Sequence, residues 1–269
     1  MASDPGKRSV EALALRDGAL RTRSDALVVE EPLEIRLDDE PLAVTMRTPG
    51  HDVELAAGFL VTEGVARDFG AVTSIAHCDG EGNTVLVRSE PGSPGIVPPP
   101  PRAFTATSAC GLCGKATLES LHARAPALHA DPAQVDAAVL RALPERLRAA
   151  QPLFRDTGAL HAAGLFSLQG ELLCAREDIG RHNAVDKVVG WAALDGRLPL
   201  SGSILLVSGR IGFEIAQKAL VAGIPITAAI SGASSLAVDL ARENGQALVA
   251  FLRGEALTVY AGSERIRLP

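Results

Sequence analysis

Apolar and polar positions change their spacing twice along the chain. Ala26-Leu-Val-Val, Leu33-Glu-Ile-Arg-Leu and Pro41-Leu-Ala-Val-Thr-Met-Arg alternate, with Glu31-Pro32 and Asp38-Asp39 between them. Period two broken by turn residues predicts short antiparallel strands. Thr48-Pro-Gly-His-Asp then opens a helix, with an acidic first turn followed by Val53, Leu55, Ala56, Phe59 and Leu60 at helical spacing. Val72–Ala76 and Thr84–Val87 predict a hairpin around Asp79-Gly-Glu-Gly. Residues 26–90 thus read as a small α+β domain. Residues 1–25, charged along their length and without a core-facing stripe, read as a flexible tail.

Pro91-Gly-Ser-Pro-Gly-Ile-Val and the prolines after it can continue neither a helix nor a central strand. Residues 91–109 read as a linker, and 110–131 as a cysteine-bearing loop with the segment after it. Beyond it, in residues 132–269, strands and helices alternate. Asp131-Pro132 predicts a helix start and Pro144 a stop or kink. Leu160–Leu168 and Leu172–Ala175 predict a hairpin turning at Gln169-Gly170. Then come a helix over Asn183–Leu194, a strand over Ser203–Val207, a helix over Glu214–Ala222, a strand over Ile226–Ile230, a helix over Ser234–Glu243 and a strand over Ala247–Leu252. Short strands that are apolar on both sides predict parallel pairing between helix layers. The fold class expected is α/β.

Composition narrows the function. At 269 residues and 47% apolar, the chain can bury a core without staples. Its formal net charge of −6 argues against sequence-independent nucleic-acid binding. No apolar run reaches the roughly 18 residues of a membrane span, and the charged N-terminus has no signal-peptide core. The expected compartment is the cytoplasm, with no membrane or nucleic-acid partner. There, cysteines serve as metal ligands, redox groups or nucleophiles more often than as disulfides.

The sharpest chemical feature is Thr107-Ser-Ala-Cys110-Gly-Leu-Cys113-Gly-Lys115. Two thiols so spaced can meet each other, one metal or one electrophile. Lys115 and a helix start at Ala116 would favour the thiolate. Cys78 and Cys174 stand alone and read as buried core thiols. A zinc deaminase would need H-x-E and P-C-x-x-C; none of the six histidines lies in H-x-E, and no proline precedes Cys110. Three loops have the composition of a ligand edge: Arg176-Glu-Asp-Ile-Gly-Arg-His-Asn183, Ser208-Gly-Arg-Ile-Gly-Phe-Glu214 and Ser231-Gly-Ala-Ser-Ser235. A helix start and Gly-rich turns after parallel strands suit a nucleotide-like anion. His161, inside a strand, reads as a hydrogen-bonded core residue.

Five segments in this order resemble the FdhD family of formate dehydrogenase accessory proteins. They are Arg47-Thr-Pro-Gly-His-Asp-Val-Glu-Leu-Ala-Ala-Gly-Phe-Leu, Cys110-Gly-Leu-Cys-Gly, Thr157-Gly-Ala-Leu-His-Ala-Ala, Glu177-Asp-Ile-Gly-Arg-His-Asn-Ala-Val-Asp-Lys and Ser208-Gly-Arg. The resemblance runs from about Ala26 to Tyr260. It implies a cytidine-deaminase-like C-terminal domain, three-layered with a mixed sheet, behind the small N-terminal domain. It also implies a sulfurtransferase. Such a protein takes sulfur from an IscS-like cysteine desulfurase as a cysteine persulfide. It passes the sulfur to the molybdenum (or tungsten) bis(molybdopterin guanine dinucleotide) cofactor, before that cofactor enters the formate dehydrogenase catalytic subunit. By position, the sulfur site is Cys110 with Cys113. The cofactor, with its guanine nucleotides, falls to Arg181, His182, Asn183, Ser208, Gly209, Arg210 and the segment Phe251, Leu252, Arg253, Gly254, Glu255, Ala256. That last segment departs from the family pattern after Arg253-Gly254, which leaves Arg253 as the expected phosphate contact. No resident metal is implied, and a homodimer is. The alternative is a zinc-binding or thiol-redox module built on the same cysteine pair.

Overall fold

The computed structural model describes residues 4–78, 82–97 and 127–268. Cys110, Cys113 and the predicted turn at 79–81 lie outside the described residues. Strands β3 (Glu31–Leu37), β4 (Glu40–Arg47), β5 (Val72–His77) and β6 (Thr84–Ser89) form one sheet, ordered β4-β3-β6-β5. Helix α1 (Asp52–Thr62) lays Leu55, Ala56 and Leu60 on the inward residues Leu33, Ile35, Val85 and Val87 of that sheet. This is the expected α+β unit. It extends further than expected, since Ile96 bridges back to Ala66 and joins the same core.

The second sheet runs β13-β12-β11-β10-β8-β9. Its strands are β8 (His161–Ser167), β9 (Leu172–Asp178), β10 (Ser203–Val207), β11 (Ile226–Ala229), β12 (Ala247–Arg253) and β13 (Ala256–Ala261). The pairs β10/β11 and β11/β12 are parallel, and the others antiparallel. Side chains alternate across it. Ile204 and Leu206 join Leu140, Leu143 and Leu147 of α2 (Ala137–Ala149) on one face. Leu205 and Val207 join α4 (Arg181–Leu194), α5 (Phe213–Val221) and α6 (Ser235–Glu243) on the other. A short α3 (Pro152–Thr157) follows α2. The chain is a mixed α/β protein, as its strand and helix alternation implied.

Helix α1 is shared between the units. A methyl group built on Gly58 would lie 1.8 Å from the Asp186 carbonyl oxygen, and one on Gly190 1.8 Å from that of Glu54. Backbone therefore touches backbone where α1 crosses α4. Polar bonds surround this contact. Lys218 Nζ lies 2.9 Å from both Asp186 oxygens, 2.9 Å from Glu63 Oε1 and 2.8 Å from Thr62 Oγ1. Burial disfavours the ammonium, but the Asp186 and Glu63 carboxylates outweigh it and hold the Lys218 pKa above its ordinary value. Glu54 makes a bidentate pair with Arg176, with Nη2 2.7 Å from Oε1. Burial works against this carboxylate too, yet Arg176 and His51 hold its pKa at about 2.

Three expectations need correction. Residues 7–28 are not a tail: β1 (Lys7–Arg16) and β2 (Ala19–Val28) pair along their whole length as a ribbon outside both sheets. Cross-strand hydrogen bonding and a few ties at its base set it, and Val10, Ala12 and Ala14 are only half-buried, so no fully buried stripe marks it in the sequence. The helix expected from Asp131-Pro132 begins at Ala137, because Val135–Asp136 is first taken as β7 by parallel pairing with β14 (Ile266–Arg267). That helix also runs through Pro144, held on both sides by the buried Leu140, Leu143 and Leu147. One hydrogen bond is lost to the proline and the apolar stripe outweighs it.

Candidate functional site

The carboxyl ends of β10, β11 and β12 point the same way, as their parallel pairing requires. The start of β8, antiparallel to β10, and the loop into α4 share this edge. Its loops are stitched together. Ser208 accepts at its hydroxyl from the Ala162 amide (2.9 Å) and donates its own amide to Ala162 (2.9 Å). Ile211 donates to Gly232 (3.0 Å) and accepts from Ser234 (3.0 Å), and Phe251 donates to Ser231 (2.9 Å). Arg253 Nε donates to the Ile230 carbonyl (3.2 Å). Residues 208–211, 231–234 and 251–253 thus form one continuous rim. Ser234 caps α6 through the Ala237 amide, as its place in the sequence suggested.

Two glycines lie close to their neighbours at this rim. Gly209 runs between His161 and Arg181: a Cβ there would lie 3.4 Å from His161 Nδ1 and 3.8 Å from Arg181 Cδ. Phe251 sits at a β-bulge with φ 55, and its ring would come within 3.1 Å of a Cβ on Gly232. Arg210, Arg253, Gly254, Glu255 and Ala256 are exposed, whereas Leu252 is buried. Glu255 is held by Arg141.

Below the rim, His182 Nε2 meets Glu214 Oε2 at 2.9 Å, joining the first turns of α4 and α5. Both are buried, and Glu214 Oε1 has no hydrogen-bond partner among the described residues. His161 is half-buried rather than sealed in the core. Burial, helped by the charges of Arg181 and His182, lowers its pKa and favours the neutral imidazole. It faces a cavity of about 990 Å³ lined also by Arg148, Phe154, Ser208 and Ile230.

Asn183 is turned inward. Its Nδ2 donates to Met46 O (2.8 Å) and Asp178 Oδ1 (3.0 Å), and its Oδ1 accepts from Thr45 (3.3 Å). Asp178 Oδ2 also accepts from the Thr48 amide at 3.1 Å and pairs with Lys187 Nζ at 2.7 Å. Lys187 Nζ reaches the Thr48 carbonyl at 2.9 Å. Thr48, Asp178, Asn183 and Lys187, all inside family-like motifs, therefore tie the two units together. The sequence reading reached Glu214 only as the last residue of the Ser208–Glu214 loop and gave it no role of its own. A lone carboxylate two residues after Gly212, at the start of an apolar helix, was the available signal.

Among the described cysteines, Cys174 is buried in β9, and burial pushes its thiol up to about 12. Cys78 is half-buried rather than fully enclosed. Among the described residues no group of three or more His, Cys, Asp or Glu side chains could hold a metal, and no helix is long and apolar enough to cross a membrane.

A family model described as FdhD/NarQ matches residues 28–267, a span that includes both sheets and the cysteine pair. The chain belongs to the FdhD/NarQ family. Curated FdhD relatives are similar along nearly their whole length. Proteins named "Sulfur carrier protein FdhD" are 54% identical in Streptomyces avermitilis, over 96% of this chain and 95% of theirs, and 52% identical in Mycobacterium tuberculosis, over 91% and 93%. The crystal structure of a Desulfotalea psychrophila protein classed as a formate dehydrogenase accessory protein superposes with a TM-score of 0.79 at 26% identity, covering 98% of this chain and 100% of that one. Both named FdhD relatives are sulfur carriers, so the alternative of a zinc-binding or thiol-redox module gains no support from them.

Proposed function

We propose that this protein is a sulfurtransferase that serves formate dehydrogenase by carrying sulfur as a persulfide on Cys110, with Cys113 in support. The observation that carries this reading is the 54% identity to a sulfur carrier over 96% of the chain, a span holding the Cys110-Gly-Leu-Cys113 pair. In loading, the Cys110 thiolate attacks the outer sulfur of a desulfurase persulfide. A new S–S bond forms, the old one breaks, and its electron pair leaves with the desulfurase cysteine. The sulfur then passes to the bis(molybdopterin guanine dinucleotide) cofactor, which is cargo here and not a resident group.

The rim suits the nucleotide ends of that cargo. Arg181, Arg210 and Arg253 supply cations for phosphates, and free backbone groups at the starts of α4 and α5 add partial positive charge. Phe251 offers an exposed aromatic face beside Gly232. His182 supports this reading less directly, through Glu214, and Asn183 through the framework it fastens. The helix-flanked mixed sheet is consistent with a cytidine-deaminase-like second unit, in which a His182–Glu214 pair joins the helix starts. We read the protein as cytoplasmic and homodimeric.

The test is intact mass under non-reducing conditions after incubation with a cysteine desulfurase and L-cysteine. Wild type should gain about one sulfur mass that reductant removes, and Cys110→Ala should gain none. Cys110→Ala should also leave formate dehydrogenase inactive in a complemented host. A wild type that gains no sulfur, or full dehydrogenase activity with Cys110→Ala, overturns the reading.

A further inference from the structure

The edge of the large sheet opposite the rim carries a second cavity, of about 890 Å³. Helices α4 and α5 begin at the rim, so their last turns lie at this other edge. Val61 near the end of α1, Leu194 at the end of α4 and Val221 at the end of α5 line the cavity, with Ala66 and Phe69 of the small unit and Leu198 of the large one. Both units thus build it, and the backbone contact of α1 with α4 holds the two sides together. Leu194 is 47% exposed. Arg67, at the same cavity, is exposed and makes no ion pair among the described residues. Apolar side chains open to solvent around a concave site, with an unpaired cation beside them, fit an apolar anchor flanked by a carboxylate.

The path of the chain indicates which protein brings that anchor. Ile96 bridges to Ala66, a lining residue, and the Val97 amide donates to the Val65 carbonyl (2.8 Å). The span 98–126, which holds Cys110 and Cys113, thus leaves the body at this cavity. It returns at the same edge. Leu128 donates to the carbonyl of Asn244 (2.7 Å), the residue that ends α6, and is buried in one core with Val61 and Ala193. A donor seated here stands at the root of the span bearing Cys110 and leaves the rim clear for the cofactor. We propose that this cavity is the docking site of the sulfur donor, a protein presenting a cysteine persulfide, which seats an apolar side chain against Leu194 and Phe69 and sets a carboxylate on Arg67. The proposal rests on the sulfur-carrier reading and adds to it a surface for the donor.

The test compares two sulfur sources on the full chain. The rate of sulfur loading on Cys110 is followed by intact mass, once with a cysteine desulfurase and L-cysteine and once with free L-cysteine persulfide, which needs no docking. In either case the Cys110 thiolate takes the outer sulfur and the donor's cysteine thiolate leaves. Leu194→Glu sets a charge in the apolar seat and should slow loading from the desulfurase by at least about 30-fold. Arg67→Glu should slow it about tenfold, and more at low salt than at high. Both variants should unfold at the wild-type midpoint and load from free cysteine persulfide at the wild-type rate. Desulfurase loading at the wild-type rate in either variant overturns the proposal, whether or not that variant loses a second copy or a dehydrogenase from the same surface. So does an equal slowing with both sources, which places the defect at Cys110 and not in docking. A wild type that takes sulfur from neither source overturns the sulfur-carrier reading itself, and the proposal with it.

Discussion

The junction between the two units and the rim of the large sheet are both rich in charge, but they use it in opposite ways. At the junction every cation is answered: Lys218 by Asp186 and Glu63, Lys187 by Asp178, Arg176 by Glu54. At the rim Arg210 is exposed, and among the described residues Arg253 has only a backbone carbonyl. The first pattern fixes a geometry, and the second leaves donors for something that arrives. The difference teaches that the family-like motifs do two separate jobs. Thr48, Asp178, Asn183 and Lys187 hold the frame, whereas Ser208-Gly-Arg and Arg253 lie where a ligand can reach.

The largest contrast should come from Lys218→Met. It strands the buried Asp186 and the half-buried Glu63 carboxylates and should cost about 3–5 kcal/mol in a denaturant titration, part of it recovered by adding Asp186→Leu. Gly58→Ala comes next. The methyl group has no room against the Asp186 carbonyl, so separation of the helices should cost about 2–3 kcal/mol and lower the unfolding midpoint.

Glu54 gives the contrast a pH dependence. Its folded pKa of about 2 lies below its ordinary 4.5, so the contribution is complete above pH 4.5 and is lost as pH falls towards 2. Glu54→Gln should reduce stability at pH 7 by about 2 kcal/mol and flatten this acid limb, measured by denaturation at a series of pH values. Arg210→Ala and Arg253→Ala should have the smallest effect on stability, within about 0.5 kcal/mol, and under the proposed function should weaken binding of a guanine nucleotide measured by calorimetry. If either rim variant instead unfolds the protein, the division between frame and rim fails.

Much of this was legible in the sequence, and the exceptions share a cause. Ser203–Val207 was read to the residue because its strand is apolar on both faces and bounded by turns. The rim loops followed from their positions after such strands. What escaped was set by partners far along the chain: β7 by its pairing with β14, and the start of α2 with it. The junction charges escaped because a charged side chain on an amphipathic helix normally faces solvent. One clue was present. The basic residues are almost all arginine, and of the lysines Lys7, Lys115, Lys187 and Lys218, both Lys187 and Lys218 are buried. A compact ammonium fits a tight carboxylate cluster that a guanidinium would overfill.

The backbone contact at Gly58 and Gly190 also bears on how the chain could be divided. The crossing of α1 and α4 needs no tether, because side-chain absence and buried ion pairs already select one relative placement. Scission within residues 98–126 should therefore yield two fragments that copurify as a nicked complex. Each fragment alone would expose half of a seam shaped only for the other. The two halves are complementary pieces rather than modules, and neither could be exchanged for an unrelated domain at that boundary.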